Sequence, residues 1–286
     1  MDTGLSEIVV NNLVRNAIAE DSGKGDATTE ATVPSGLKAK GILIAKEDLV
    51  CAGLPVAEAA FRELDSDVKF EPQVEEGQVC PKGTVLAEIN GKAGAMLTAE
   101  RIALNFMQRM SGIATMTHDY VEALGTSRAR ILDTRKTTPG LRYLEKYAVT
   151  KGGGVNHRMG LYDRVMIKDN HRALASLNGP GGIARCVQAC REKFPELEVE
   201  VEADTLDEVR EAAEAGADFI LLDNMTNEEM AEAVKINNHR SLLEASGGIT
   251  LERIPSMADI GVDFISVGAL THSARSMDIS LDIQAV

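Results

Sequence analysis

Three consecutive runs decide the fold: Leu197-Glu198-Val199-Glu200-Val201-Glu202-Ala203, then Asp204-Thr205-Leu206-Asp207-Glu208-Val209-Arg210-Glu211-Ala212-Ala213-Glu214-Ala215-Gly216, then Ala217-Asp218-Phe219-Ile220-Leu221-Leu222-Asp223. The outer runs have the length and β-branched content of strands, and the middle run spaces its apolar residues as a helix does. Thr205 followed by Glu208 is a helix-opening pair, and Thr226 with Glu229 repeats it before the next helical stretch, Glu228–Ile236. Gly216-Ala217-Asp218-Phe219-Ile220 recurs as Gly261-Val262-Asp263-Phe264-Ile265, each time a helix-ending glycine leading into a buried strand. Further strands are expected at Arg130–Asp133, Val165–Asp169, Ser241–Ser246 and Phe264–Gly268. Strands alternating with helices make a parallel sheet.

The carboxyl ends of these strands carry Asp133, Lys168 and Asp169, Glu202, Asp223 and Asn224, Ser246-Gly247-Gly248, and Gly268. Polar groups at the ends of many successive strands belong to a barrel mouth, whereas an open dinucleotide-binding sheet concentrates them at one switch point. No Gly-x-Gly-x-x-Gly is present. Roughly 140 residues is short of the ~250 of a closed eightfold barrel, so an incomplete barrel of six or seven strands is expected. Residues 1–112 read differently. Short strands at Lys38–Ile44, Val68–Phe70 and Thr84–Ile89 and a helix from Ala99 to Met110, capped by Thr98, indicate a separate α+β domain joined near Ser111-Gly112.

The 286 residues are 44% apolar and 26% charged, the composition of a globular protein of one or two domains. No apolar run reaches the ~18 residues of a membrane span. The start, Met1 to Glu7, has neither a basic beginning nor a long apolar stretch, which speaks against a secretory signal. Cys51, Cys80, Cys186 and Cys190 are too scattered for a disulfide framework or a zinc site, and a reducing cytoplasm is expected. The net charge of −14 speaks against nucleic acid as a partner. The charge is uneven, however. Between Arg128 and Arg172 stand eleven Lys and Arg against four Asp and Glu, which suits a small anionic ligand there.

The densest chemistry lies in Leu132-Asp133-Thr134-Arg135-Lys136-Thr137-Thr138-Pro139-Gly140, Lys151-Gly152-Gly153-Gly154-Val155-Asn156-His157-Arg158 and Met166-Ile167-Lys168-Asp169-Asn170-His171. Arg135, Lys136 and Lys168 sit at strand ends, where guanidinium forks and ammonium charges can converge on a ligand with several anionic groups. Glu202 and Asp223 are their acidic counterparts. Such carboxylates hold Mg²⁺ or a ribose diol, stabilise developing positive charge, or simply pair with a neighbouring strand's cation. Ser246-Gly247-Gly248 and Val267-Gly268-Ala269 let backbone N–H groups approach a phosphate. The five histidines show no metal-ligand spacing such as His-Glu-x-x-His.

These central runs resemble the signature of the quinolinate phosphoribosyltransferase family. The resemblance extends to Glu20-Asp21-x-Gly23-x-Gly25-Asp26-x-Thr28, Glu100-Arg101-x-x-Leu104-Asn105-Phe106, Ser111-Gly112-Ile113-Ala114-Thr115 and Gly268-Ala269-Leu270-Thr271-His272, so it covers essentially the whole chain. Met166, where the family usually has Leu, is a minor departure. The resemblance implies an N-terminal α/β sandwich (1–112), an open barrel of about seven strands (113–270), and a tail (271–286) returning to the first domain. It implies transfer of phosphoribose from 5-phosphoribosyl 1-pyrophosphate to quinolinate with loss of CO₂, giving nicotinate mononucleotide for NAD biosynthesis. It also implies Mg²⁺, held at Glu202 and Asp223 by way of the substrate, and a homodimer or hexamer with shared sites. Carried over residue by residue, the quinolinate pocket is Arg135, His157, Arg158 and Lys168, with Arg101 reaching in from the neighbouring subunit, and Thr134 is a further substrate-binding residue. The phosphoribosyl pyrophosphate side is Lys136, Glu202, Asp223, Ser246, Gly247, Gly248, Gly268 and His272, with Lys136, Glu202 and Asp223 catalytic.

Three other readings stay open on the residues. A related molybdenum-transport-associated phosphoribosyltransferase would use another acceptor. A lyase barrel would use Lys136 or Lys168 as an imine-forming nucleophile. A binding barrel would hold a ligand without turnover.

Overall fold

A computed structural model describes residues 4–286. Met1, Asp2 and Thr3, on which the reading of the N-terminus partly rests, lie outside the described residues. In chain order the first elements are α1 (Glu7–Ser22), α2 (Ala27–Thr32), β1 (Lys38–Ala45), β2 (Leu49–Val50), α3 (Leu54–Leu64), β3 (Lys69–Pro72), β4 (Val79–Cys80), β5 (Val85–Lys92) and α4 (Ala93–Leu124). They are followed by β6 (Arg130–Leu132), α5 (Arg142–Lys151), β7 (Val165–Ile167), α6 (Asp169–Leu174), α7 (Gly182–Lys193), β8 (Val199–Ala203), α8 (Leu206–Glu214), β9 (Phe219–Asp223) and α9 (Asn227–Asn237). The last are β10 (Leu242–Ser246), α10 (Ile254–Met257), β11 (Phe264–Ser266), α11 (Ala269–His272) and β12 (Ile279–Ala285). Two compact units result: residues 4–118, 144–153 and 273–286 form one, and residues 119–143 and 154–272 the other.

The first unit is built on a four-stranded antiparallel sheet in the order β12-β1-β5-β3. β1 alternates strictly, with Ala39, Leu43 and Ala45 buried, as a strand with one covered face must. α4 covers that face: Gly41 of β1 has no room for a side chain because the Met96 sulfur would lie 2.7 Å from it. Phe61 of α3 stacks on Phe70 of β3, with ring centroids 6.2 Å apart. β12 is the sheet's edge strand, pairing Ala39 with Ala285 through to Ala45 with Ile279.

α4 corrects two expectations. It begins at Ala93, ahead of Thr98, and runs on through Ser111-Gly112 to Leu124. Thr98 therefore caps nothing. Its hydroxyl donates back to the Gly94 carbonyl at 3.0 Å, the way a threonine is satisfied inside a helix. Gly112 is not a helix stop but a point of close approach, since a Cβ there would lie 1.8 Å from the Arg275 carbonyl oxygen. Gly152 serves α5 in the same manner against Ala114 of α4, where the Arg109–Glu145 ion pair at 2.8 Å also joins the two helices.

The second unit is the expected incomplete barrel. Six parallel strands run in the order β6-β11-β10-β9-β8-β7, at or within two residues of every range read from the sequence. A single bridge from Leu132 to Val155 stands where a seventh strand would lie. Thr205 and Thr226 each accept the N–H of the glutamate three residues on, and Glu229 completes its capping box. Gly216 and Gly261 both take left-handed backbone, φ 77° and 101°, but only Gly216 stands at a helix end. α10 stops at Met257 and a turn separates it from Gly261, which is therefore not the helix-ending glycine expected. Successive parallel strands put all their carboxyl ends on one edge.

Within the first unit, Arg275 grips Glu47 with two bonds of 2.7 and 2.6 Å, and the Asp278 N–H adds a third at 2.8 Å. Together they hold the Glu47 carboxyl down at about 2. A depressed carboxyl stabilises the fold above its unfolded value, and the benefit fades as pH falls toward the folded one. Glu47→Gln is expected to lower the melting temperature at neutral pH, with the gap to wild type closing between pH 4.5 and about 2. A gap independent of pH in a thermal-melt series would sink the ion-pair account.

Candidate active site

The carboxyl ends of the second unit's strands surround a cleft of about 570 Å³. Its walls include Thr134, Arg135, Lys136, His157, Arg158, Lys168, Glu202, Asp223, Ser246, Gly247 and Gly248, so nearly every expected site residue converges there. Gly268 lies just behind. A Cβ on it would come within 3.1 Å of the Lys136 side chain and 3.2 Å of His272, so the glycine makes room for both. Arg101 is exposed on α4 in the first unit.

The cations are placed by backbone devices. Asp133, fully buried just past β6, accepts the His157 N–H on Oδ1 at 2.8 Å. Its own N–H donates to the Val155 carbonyl at 3.2 Å, and Val155 N–H donates to Ile131 at 2.8 Å. This stitching lays the 155–158 segment along the sheet edge. Thr134 Oγ1 accepts the Lys136 N–H at 3.0 Å, and the Thr271 hydroxyl donates to the Lys136 carbonyl at 2.9 Å, which ties that loop to α11. Arg158 donates from Nη1 to the Arg164 carbonyl at 3.1 Å and from Nη2 to the Met166 sulfur at 3.4 Å. Burial, then the nearby Arg135 charge, lower the Arg158 pKa. Arg135 Nε is buried and without a hydrogen-bond partner, a donor suited to an anion.

The acidic side divides in two. Glu202 pairs closely with Lys168, the alternative that the sequence left open for it. An ion-paired ammonium is a poor imine-forming nucleophile, which counts against a Schiff-base lyase at Lys168. Asp223 accepts from the Asn224 amide at 2.9 Å, and its pKa is raised by burial and then by the Asp204 charge. Beside it, Asn224 N–H donates to the Ser246 carbonyl at 2.9 Å, locking two strand-end loops together. Gly247 (φ 92°) must be glycine, because a Cβ would lie 2.1 Å from Asn224 Oδ1. Gly248 follows, also left-handed at 58°, so the turn carries no side chain between its backbone and the cleft.

Met166, Leu221, Asn224, Glu244 and Ser266 also line the cleft. Sequence reading missed Glu244 and Ser266, which lie within β10 and β11 rather than beyond their ends. The one available signal was an acid amid apolar neighbours, Leu242-Leu243-Glu244-Ala245.

A family model described as "Quinolinate phosphoribosyl transferase, C-terminal domain" matches residues 113–282, and its N-terminal counterpart matches residues 26–111. A "Probable nicotinate-nucleotide pyrophosphorylase [carboxylating]" of Bacillus subtilis is 41% identical over 280 residues, covering 98% of this chain and 95% of the relative. The protein of the same name from Synechocystis is 43% identical, covering 96% and 93%. The crystal structure of NadC from Streptococcus pyogenes superposes with a TM-score of 0.94 at 41% identity, covering 99% of each chain.

Proposed function

The chain belongs to the quinolinate phosphoribosyltransferase family, and from that premise we propose that its cleft joins quinolinate to the phosphoribosyl group of 5-phosphoribosyl 1-pyrophosphate. The products are nicotinate mononucleotide, pyrophosphate and CO₂, a step of NAD biosynthesis. One observation carries this reading: Arg135, Lys136, Arg158 and Lys168 face one cleft with a glycine turn on its rim, more cation than a monoanion needs. Two polyanions repel each other in water, and the basic walls offset that repulsion while holding the reacting atoms together.

In this reading Arg135, Arg158 and Lys168 take the carboxylates of quinolinate, with Thr134 beside them. Lys136 and the Ser246-Gly247-Gly248 turn take the phosphate groups, with Gly268 and His272 behind. Lys168 exchanges Glu202 for a substrate carboxylate. Glu202 is thereby freed to face the ribose with Asp223, and the two stabilise the positive charge that grows on the sugar as pyrophosphate leaves. The pyridine nitrogen attacks the anomeric carbon. The alkylated ring then accepts the electron pair left by CO₂, and a proton takes the vacated carbon.

The residues fit Mg²⁺. Burial, then the Glu208 and Glu202 charges, raise the Asp204 pKa, and burial, then the Asp204 charge, raise that of Asp223 against the opposing charges of Lys168 and Lys136, so negative charge is crowded at this end of the cleft. Glu202 and Asp223 would hold the ion, which would neutralise the leaving pyrophosphate. Among the described residues no helix is long and apolar enough to cross a membrane. Four free thiols, three of them buried, suit the reducing cytoplasm we assign to the chain. We assign it no nucleic-acid partner.

Incubation with quinolinate, 5-phosphoribosyl 1-pyrophosphate and Mg²⁺ should yield nicotinate mononucleotide and stoichiometric CO₂. Turnover of nicotinate but not quinolinate would overturn the assignment. Lys168→Ala is expected to raise KM for quinolinate far more than KM for the phosphoribosyl donor. Equal effects on both would remove Lys168 from the carboxylate pocket.

The same reading makes the working unit a homodimer, or a hexamer built as a trimer of dimers, in which Arg101 completes the partner's site. Arg101→Ala and Arg158→Ala chains, each nearly inactive alone, are expected to regain activity when unfolded together and refolded as a mixture. In a mixed dimer one site carries both defects and the other neither, so about a quarter of all sites should be intact. Activity no greater than the parents' sum would show that the site is not shared.

A further inference from the structure

On the cleft's inner wall, within the open barrel, lies a polar group with no part in the steps above. Glu200 of β8 and Glu244 of β10 are both fully buried. His157 Nε2 lies 3.3 Å from Glu200 Oε2 and 3.4 Å from Glu244 Oε2. Neither Glu200 oxygen, nor Glu244 Oε2, completes a hydrogen bond. One imidazole and two carboxylates at this spacing could in principle surround a metal ion.

The imidazole decides otherwise. His157 Nδ1 accepts the Arg158 backbone N–H at 2.6 Å, so Nδ1 holds a lone pair and the ring's proton is on Nε2. A protonated nitrogen has no pair to give a metal. An imidazolium is excluded by the same bond, because it would set N–H against N–H. The Nε2–H therefore points at two carboxyl groups, and two adjacent buried carboxyls cannot both be charged. Their surroundings say which keeps the proton. Glu200 has the Arg164 guanidinium 3.7 Å away as countercharge. Glu244 accepts from the Ser266 hydroxyl on Oε1 and has no guanidinium within ion-pair distance among the described residues, the Arg164 charge being the least of the influences on it. Burial and the Glu200 charge both push the Glu244 carboxyl well above the usual range.

We propose that Glu244 is a neutral carboxylic acid which, through His157, positions Arg158 for the aromatic dicarboxylate. This rests on the functional reading above. The Glu244 hydroxyl is shared with Glu200, His157 Nε2–H donates to the carboxylate so formed, and Nδ1 takes the Arg158 N–H. The chain of bonds runs from the barrel interior to the backbone of the arginine most affected by its neighbour Arg135. His157 is thereby a positioning residue, with both ring nitrogens turned to protein groups and neither to substrate.

Nitrogen-15 NMR of histidine-labelled wild-type protein, assigned with His157→Gln, is expected to show a pyridine-type Nδ1 and a pyrrole-type Nε2. Infrared spectra are expected to show a buried carboxylic-acid band that Glu244→Gln removes. In kinetics, Glu244→Leu is expected to raise KM for quinolinate by about tenfold, with KM for the phosphoribosyl donor within about twofold, and Glu244→Gln to recover most of the loss because its amide keeps a donor. A protonated Nδ1, an absent acid band, a metal in the purified wild type that His157→Gln releases, or a leucine variant that weakens both substrates alike would each overturn the proposal. If wild type fails to turn over quinolinate, the functional reading fails, while the two spectra still report on the acid and the tautomer. Both are recorded on the wild type, the two variants serving only to assign them.

Discussion

The cleft depends on one buried bond, from the His157 N–H to the Asp133 carboxylate. The sheet stops short of closure, and the segment that would be its seventh strand touches β6 at a single bridge. A segment so lightly paired would ordinarily wander. Asp133 prevents this by accepting one N–H while the backbone on either side exchanges two more bonds with Val155. A hydrogen bond to a charged group is worth about 1.5–3 kcal/mol, and more is lost if a buried partner is left alone. Arg158 is the next residue, so its guanidinium is only as well placed as this anchor.

The anchor must hold against a force the site itself creates. Arg135 and Arg158 lie near enough for one charge to disfavour the other, and Lys136 and Lys168 add to the same field. Such a field is unfavourable until a polyanion enters, and it draws one in from solution. The Lys168–Glu202 pair reads as the acid holding the lysine in place meanwhile. A net charge of −14 in the chain as a whole lets this patch coexist with general repulsion between molecules, which favours solubility.

Most of the barrel was legible because its signals are local. Short apolar runs, threonine caps and left-handed glycines each occupy a few residues, and the structure has them at the same places. The cleft was legible for a related reason: residues beyond a strand's end have no structural need of charge, so Arg135, Lys168 and Asp223 stand out. What escaped was set by partners far away in sequence. Glu244 looks like any polar residue in a strand until β8 brings Glu200 beside it and the 155–158 segment lays His157 on both. Gly112 and Thr98 look like punctuation in α4, yet one answers to the Arg275 carbonyl and the other, besides its own helix, to the Asp26 carboxylate. That Lys168 would choose Glu202 could not be read from either residue alone.

The pairing of β12 with β1 orders events in time. During translation β1, β3 and β5 emerge early, but the strand that covers the free edge of β1 comes only with residues 279–285. The barrel strands, β6 to β11, are all synthesised before that strand. The first unit to leave the ribosome is thus the last to be finished, and until then β1 presents an unpaired edge of the kind that invites association with other chains. The strand that closes the edge ends the period in which the nascent chain is exposed to that hazard.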